Sequence, residues 1–323
     1  MSWNTFALLQ RCIASVRAQT HPSVQLVVVD NASRDGSAEW LRAQQDVELV
    51  ENPRNVGFAA ANNAGLRLCT GDFVLLVNAD VELNRDYLEL CVRHFDDAEV
   101  GSVTGKLFRF SPVGMLDSTG HEVYGVGWAA NRGEELPDVG FDAPGEVFGV
   151  CAAAAVYRKA ALDDVAIEGE VLDETYVSYI EDVDLDWRLR WRGWKAWYEP
   201  RAVAVHHRSA SGARFSAPVM RHILANRILT VVKNYDRGTL LRNSLGFAAF
   251  TLVKTVDFAT VHPSATLGLL DAARLIPVAL RKRRWIRSNR RRRPGELSRW
   301  LLPFPWPERV RRRLLGPAAA LRG

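Results

Sequence analysis

The chain has 323 residues, 48% apolar and 24% charged, with a formal net charge of +5. That is enough to bury a full core, which excludes a mainly disordered protein and fits one large α/β domain with an appendage. The charge is uneven: residues 281–323 carry 15 Lys and Arg against 2 Asp and Glu, a net +13, whereas residues 1–280 carry 27 against 35, a net −8.

Cys12, Cys69, Cys91 and Cys151 are widely spaced and lack a CxxC pair, so buried reduced thiols are expected rather than disulfides or a zinc site, which favours the cytoplasm. No apolar leader follows Met1, and the longest apolar stretch, residues 245–253, ends at Lys254, short of the ~20 residues a spanning helix needs. Neither secretion nor a membrane span is expected.

In chain order, the first hundred residues read as βα repetition. Gln25-Leu26-Val27-Val28-Val29-Asp30, Val47-Glu48-Leu49-Val50 and Phe73-Val74-Leu75-Leu76-Val77 are short β-branched runs. Between them, apolar residues recur at helical spacing, as in Leu9, Cys12, Ile13 and Val16. Apolar strands alternating with helices predict a mostly parallel sheet covered by helices, with ligands outside the carboxyl ends of the strands, where Asp30 and Asn78 lie. Gly and Pro then punctuate residues 111–149, and helix signals return at Tyr157 and over 182–192. Beyond Pro218, residues 219–235, 239–261 and 267–284 read as helices with apolar faces. The arginine runs that follow attract phosphates of lipid headgroups or nucleic acid, or form a solvated tail.

Several positions carry chemistry. Asp30 ends a valine-rich strand, and the turn Asn31-Ala32-Ser33-Arg34-Asp35-Gly36-Ser37 hydrogen-bonds a ligand or caps the next helix. Asn55-Val56-Gly57-Phe58 with Asn62-Asn63 puts a glycine where backbone approaches something closely. Asn78-Ala79-Asp80 places a carboxylate at a strand end, where one or two carboxylates suffice for a hard divalent cation that keeps water and substrate phosphates in its shell. Glu181, Asp182, Asp184 and Asp186 crowd four acids into six positions, with Asp182 and Asp186 on one helical face. Such crowding costs stability and marks a working group, while the same acids also suit a helix N-terminus. His206-His207 ends another apolar run, as a metal ligand or a hydrogen-bonded core histidine. Trp187, Trp191, Trp194 and Trp197 are expected in the core rather than under a sugar.

In this order the pieces resemble the family 2 glycosyltransferases of the GT-A fold, specifically the bacterial rhamnosyltransferase-like branch. The matching text is Val28-Val29-Asp30-Asn31-Ala32-Ser33, Asn55-Val56-Gly57-Phe58-Ala59, Asn78-Ala79-Asp80-Val81, Phe148-Gly149-Val150-Cys151-Ala152, Leu172-Asp173-Glu174, Tyr179-Ile180-Glu181-Asp182-Val183-Asp184, Arg192-Gly193-Trp194 and Val205-His206-His207. The resemblance implies donor binding by Asp30, Asn31, Gly57, Asn63, Asn78 and Asp80. It implies a divalent metal, Mg²⁺ or Mn²⁺, on Asp80 and His206, and Asp182 as catalytic base with Glu181, Asp184 and His207 in support. It further implies an inverting enzyme, moving a sugar such as rhamnose from a nucleotide-diphosphate donor to a glycan or polyprenyl-linked acceptor. A non-catalytic or impaired nucleotide-sugar- or carbohydrate-binding protein is the alternative, given that most of the family's first strand is missing before Ser2. Residues 1–218 would be the catalytic domain, 219–284 an amphipathic helical region and 285–323 a basic tail. The apolar faces of residues 219–284 and the cluster of nine cations between Arg281 and Arg293 would hold the protein peripherally on an anionic cytoplasmic membrane surface, with no nucleic acid as partner. Family members also carry a complete strand before the Ser2-Trp3-Asn4 motif, so five to ten mostly β-branched apolar residues are expected to be encoded upstream.

Overall fold

The computed structural model describes residues 1–208 and 216–305. The first part is the expected alternation: α1 (Phe6–Arg17), β1 (Leu26–Asp30), α2 (Ser37–Arg42), β2 (Val47–Glu51), α3 (Phe58–Leu66), β3 (Phe73–Val77), β4 (Val81–Leu83) and α4 (Tyr87–Val92). Buried Leu9, Cys12, Ile13 and Val16 form one stripe of α1, which is why that segment is a helix lying on the sheet. Then come β5 (Val100–Arg109), β6 (Leu116–Ser118), β7 (His121–Tyr124), β8 (Trp128–Asn131), β9 (Gly145–Val147), β10 (Ala154–Arg158), α5 (Lys159–Val165), α6 (Glu181–Arg192) and β11 (Lys195–His206). The last part is α7 (Ala217–Asn234), α8 (Arg237–Val261), α9 (Gly268–Asn289) and the two-residue β12 (Leu301–Leu302).

The α/β class stands, but among the described strands parallel pairing is confined to β1–β2, β5–β11 and β12–β7, with one isolated parallel bridge between Ser2 and Asp30. The main sheet has the order β3-β10-β5-β11-β4, with β6 on β5 and β9 on β11, and its other pairings are antiparallel. Apolar runs buried on both faces read the same in either direction, so the strand composition could not distinguish them. The segment at Tyr157, where a helix signal was read, is strand β10, and the helix begins at Lys159. β1 and β2 make a separate two-stranded sheet; along the other edge of β1, Ser2 donates its N–H to Val29 O (2.8 Å) and accepts from Asn31 N–H (2.9 Å).

Two of the C-terminal helices, α7 and α9, are locked to the preceding body by buried charge. Lys233 on α7 contacts Asp173 and, at 2.8 Å, Asp184; Lys282 on α9 reaches Glu170 (2.7 Å) and Asp173 (2.8 Å). Asp184 also holds Arg188 at 3.0 Å. Residues 285–305 are not a free tail. Ile286 and Leu297 are buried with Trp187, Trp191 and Phe148, and Trp285 and Trp300 pack against them, because aromatic side chains interleave the arginines and bring apolar area to bury. Lys282 and Arg283 are themselves buried. Residues 306–323, the rest of the basic run, lie outside the described residues.

The expectation of no span-length apolar helix is corrected. By length and composition, residues 237–261 and 263–289 each hold an 18-residue stretch, of mean hydropathy 1.3 and 1.2, long and apolar enough to cross a membrane. The charges that interrupt the first, Lys254 and Asp257, pair with each other at 3.0 Å.

Removing one partner from a buried ion network leaves the others uncompensated, so Lys233→Met is expected to cost about 3–5 kcal/mol of unfolding free energy. Chemical denaturation checks this, and an unchanged midpoint would refute the locking role.

Candidate active site

The site is assembled where β3, β11 and α6 end or begin. Asp80 occupies the turn between β3 and β4, and its backbone carbonyl accepts from His207 N–H at 2.9 Å. His206, the last residue of β11, lies opposite Val81 of β4, so its imidazole meets the Asp80 carboxylate: Nε2 is 3.2 Å from Asp80 Oδ1. Its Nδ1 is 2.8 Å from Asp117 Oδ2 on β6, and Asp117 in turn contacts Arg208 and, at 3.5 Å, Arg109. Burial opposes charge on His206, but hydrogen bonds to Asp117 and Asp80 outweigh it and raise its pKa to about 9. The same pairing holds both carboxyls below their usual range against the pull of burial.

A second group sits at the start of α6. Asp182 accepts from Val183 N–H (2.9 Å) and from Ala152 N–H (3.2 Å). One turn on, Asp186 accepts from Val150 N–H at 3.1 Å. Between them stands His121, from the start of β7, with Nδ1 2.7 Å from Asp186 Oδ2 and Nε2 3.6 Å from Asp182 Oδ2. The crowding of acids on one face is therefore relieved by a histidine from elsewhere in the chain. Burial resists the charge on His121, yet Asp182 and Asp186 raise its pKa well above the ordinary value, while burial pushes the Asp186 carboxyl up to about 6. Gly149 is required here: a Cβ on it would lie 1.8 Å from Asp186 Oδ2.

The two groups share a wall. Asn78 N–H donates to Ala153 O at 3.0 Å, and the neighbouring Ala152 N–H donates to Asp182, so residues 151–153 join the Asp80 turn to the head of α6. Cys151 lies in this wall, its sulfur within 4.8 Å of ligand atoms of His121 and Asp182. All four cysteines are free.

A sequence model of glycosyl transferase family 2 matches residues 1–166. The chain belongs to that family. Among curated relatives, a pre-mycofactocin glycosyltransferase of Mycobacterium tuberculosis is 34% identical over 64% of this chain and 41% of its own length. The chain thus spans about two fifths of that relative. An N-acetylglucosaminyl-diphospho-decaprenol L-rhamnosyltransferase of the same organism is 26% identical over 76% of this chain and 89% of its own length. Among solved structures, GalNAc-T7 with UDP, GalNAc and Mn²⁺ superposes with a TM-score of 0.57 at 13% identity, over 84% of this chain and 55% of that one. The mannosyltransferase PcManGT from Pyrobaculum calidifontis, with GDP-Man and Mn²⁺, gives 0.52 at 18%, over 89% and 83%. These neighbours carry the GT-A fold.

Within this family 2 chain, the residues singled out from sequence separate into two kinds. Asp80 meets His206 directly, while Asn78, by its backbone, and Asp182, by its carboxylate, meet the wall at residues 151–153 from either side. Asp30 is buried and one carboxylate oxygen, Oδ1, has no hydrogen-bond partner within the described residues, which leaves it an acceptor to offer; its other oxygen takes Ser33 N–H at 3.0 Å.

Others are braces. Asn31 spends its amide on Asn55 Oδ1 (2.9 Å) and Gly57 O (3.3 Å) and accepts from Val56 N–H (3.1 Å), tying β1 to the turn before α3. Gly57, at φ +88°, lets that turn touch Val177, where a Cβ would sit 2.6 Å from Val177 Cγ1. Asn63 exchanges hydrogen bonds with the backbone of Leu172 (2.8 and 2.9 Å). Asp184 faces away from Asp182 into the Lys233 network, and His207 points to Glu82 rather than toward the Asp80 carboxylate, because neighbours on a strand face opposite ways. Glu181 is buried, and burial beside Asp182 raises its pKa well above the ordinary value, favouring its neutral form. Sequence reasoning missed His121 and Asp117, which lie in the irregular stretch before residue 149. The one available signal was a pair of titratable residues in Asp117-Ser118-Thr119-Gly120-His121.

If Asp186 sustains the charge on His121, Asp186→Asn lowers the His121 pKa toward its ordinary value, read from an NMR titration of the imidazole protons. An unchanged titration would remove Asp186 from that role.

Proposed function

We propose that the chain is an inverting glycosyltransferase that moves a sugar from a nucleotide-diphosphate donor to a hydroxyl of a cell-envelope or lipid-linked glycan acceptor. The observation that carries this reading is the shared wall at residues 151–153, which sets a carboxylate–imidazole pair beside a second carboxylate at a helix head. One group suits a diphosphate and the other an acceptor proton.

The Asp80–His206 pair fits a divalent ion. His206 would bind such an ion as the neutral imidazole, giving up the proton it shares with Asp80, and its other nitrogen already rests on a carboxylate, Asp117, as is typical of a ligating histidine. Mg²⁺ or Mn²⁺ held there by Asp80 and His206 would neutralise the departing nucleoside diphosphate. Asp30, with its free carboxylate oxygen, receives the nucleobase or ribose. Asp182 takes the proton of the acceptor hydroxyl as its oxygen attacks the anomeric carbon and the bond to the diphosphate breaks. The backbone N–H groups of Val183 and Ala152 fix the Asp182 carboxylate for that transfer. Rhamnose is the first sugar to test, in view of the relative named as an L-rhamnosyltransferase. Attachment at the inner face of the plasma membrane would serve a polyprenyl-linked acceptor.

A thermal-shift panel of nucleotide sugars with Mn²⁺ and Mg²⁺ identifies the donor, because a ligand that binds only the native state raises its stability. Asp182→Asn is expected to keep donor binding while transfer falls by ~10²–10⁴-fold, and near-normal turnover would move the base elsewhere. Asp80→Ala should weaken donor binding more with Mn²⁺ present than without it. Equal donor affinity of the unmutated protein with and without metal would exclude a metal-dependent site.

A further inference from the structure

α8 is 25 residues long, about 37 Å at 1.5 Å per residue. An ordinary surface helix turns its apolar stripe inward and a polar face outward. The inner face of α8 follows that rule: Phe250 and Phe258 are buried, Phe250 packs on Trp128, and Thr251 receives Arg227 at 3.0 Å. The outer face does not. Leu241, Leu245, Leu252 and Val256 recur at helical spacing and are 77%, 85%, 66% and 56% exposed. Between Arg242 and Lys254 the helix carries no charged residue. The apolar surface runs to the helix end at exposed Val261 and continues past it with exposed Leu267, Leu269 and Leu270.

We infer that this outer face is a bilayer contact, on which α8 lies in the plane of an anionic lipid surface. An exposed apolar patch of this extent marks an interaction site. A lipid surface fits it for three reasons. The helix has the apolar length of a membrane segment, yet its inner side is packed on the body, which leaves lying flat rather than crossing. The exposed charges bordering the stripe, Arg237 and Arg242, are cations that suit anionic headgroups, whereas the acid at its far end, Asp257, is paired with Lys254.

The third reason is the link to the site. The turn after β7 lies directly under α8, with Gly125 against Asn243 and Gly127 against Phe247 so closely that a Cβ would fall 2.4 and 2.8 Å from them. β7 itself starts at His121 in the site. At ~3.3 Å per strand residue, four residues put the two some 13 Å apart along the strand, within reach of a lipid-linked acceptor standing in the bilayer. The inference rests on the proposed transfer reaction for its purpose, not for its geometry. It relocates attachment from the arginine cluster, in which Lys282 and Arg283 are buried and Arg281 is paired with Glu168, to an apolar helix face.

The test is flotation of the full chain with vesicles of phosphatidylcholine and phosphatidylglycerol, in low and in high salt. The unmutated protein floats in both, and a variant with Leu241→Glu, Leu245→Glu, Leu252→Glu and Val256→Glu loses at least ~10-fold in partitioning, since each buried apolar side chain contributes separately. A milder Leu241→Ser, Leu245→Ser variant gives an intermediate loss, and circular dichroism confirms that both variants are folded. Three results would overturn the inference: an unmutated protein that does not float, flotation abolished by salt but untouched by the glutamates, or a dimer in solution that the glutamates dissociate. Transfer to a water-soluble acceptor is measured alongside. Failure of transfer with α8-dependent flotation intact overturns the proposed reaction and leaves the bilayer contact standing.

Discussion

The buried carboxylate of Asp184 is the constraint on which the rest of this structure turns. It is held at once by Arg188, Lys233 and Asn234, from two helices, and a carboxylate removed from water is tolerable only when so surrounded. Because Asp184 cannot leave these partners, the head of α6 cannot rotate. Asp182 and Asp186, on the opposite side of the same helix, are thereby aimed at His121 and the wall at residues 151–153. The acids that look redundant along the sequence divide their labour by direction: one fixes the helix and two face the site.

Much of the site was legible because its parts sit at strand ends or in a dense acidic run. Asp80, His206 and Asp182 stand out by position and company, and the structure brings Asp80 and His206 to 3.2 Å although they are far apart in the chain. Asn31, Gly57 and Asn63 were equally visible, and in the structure each braces a loop, a constraint that the motif alone does not specify. Asp117 and His121 left almost no trace. They lie on strands of three and four residues in a glycine-punctuated stretch, where no periodicity announces which side chains face inward.

The fold was legible to a similar depth. Alternating strands and helices gave the α/β class, but strand direction is set by which edges meet, information that short apolar runs do not carry. The C-terminal arginines suggested a solvated run because charge dominates the local composition. In the structure Trp285, Ile286, Leu297 and Trp300 decide instead, since a few large apolar side chains bury enough area to draw the cations between them onto the body. On α8 the apolar pattern was interrupted on paper by Lys254 and Asp257, which cancel one another in space.

The loop that delivers the chain into α6 has positive φ at Val177, Tyr179 and Ile180, and the amide of Asn226 on α7 binds the carbonyls of Tyr176, Ser178 and Tyr179 at 2.8–3.0 Å. β-branched residues resist that conformation, so the loop depends on a side chain that the ribosome adds some fifty residues later. During synthesis the chain through α6 is therefore complete in sequence while the acid at the head of that helix still lacks its setting. Docking of α7 against this loop is therefore a later step of assembly than synthesis of the acids it positions.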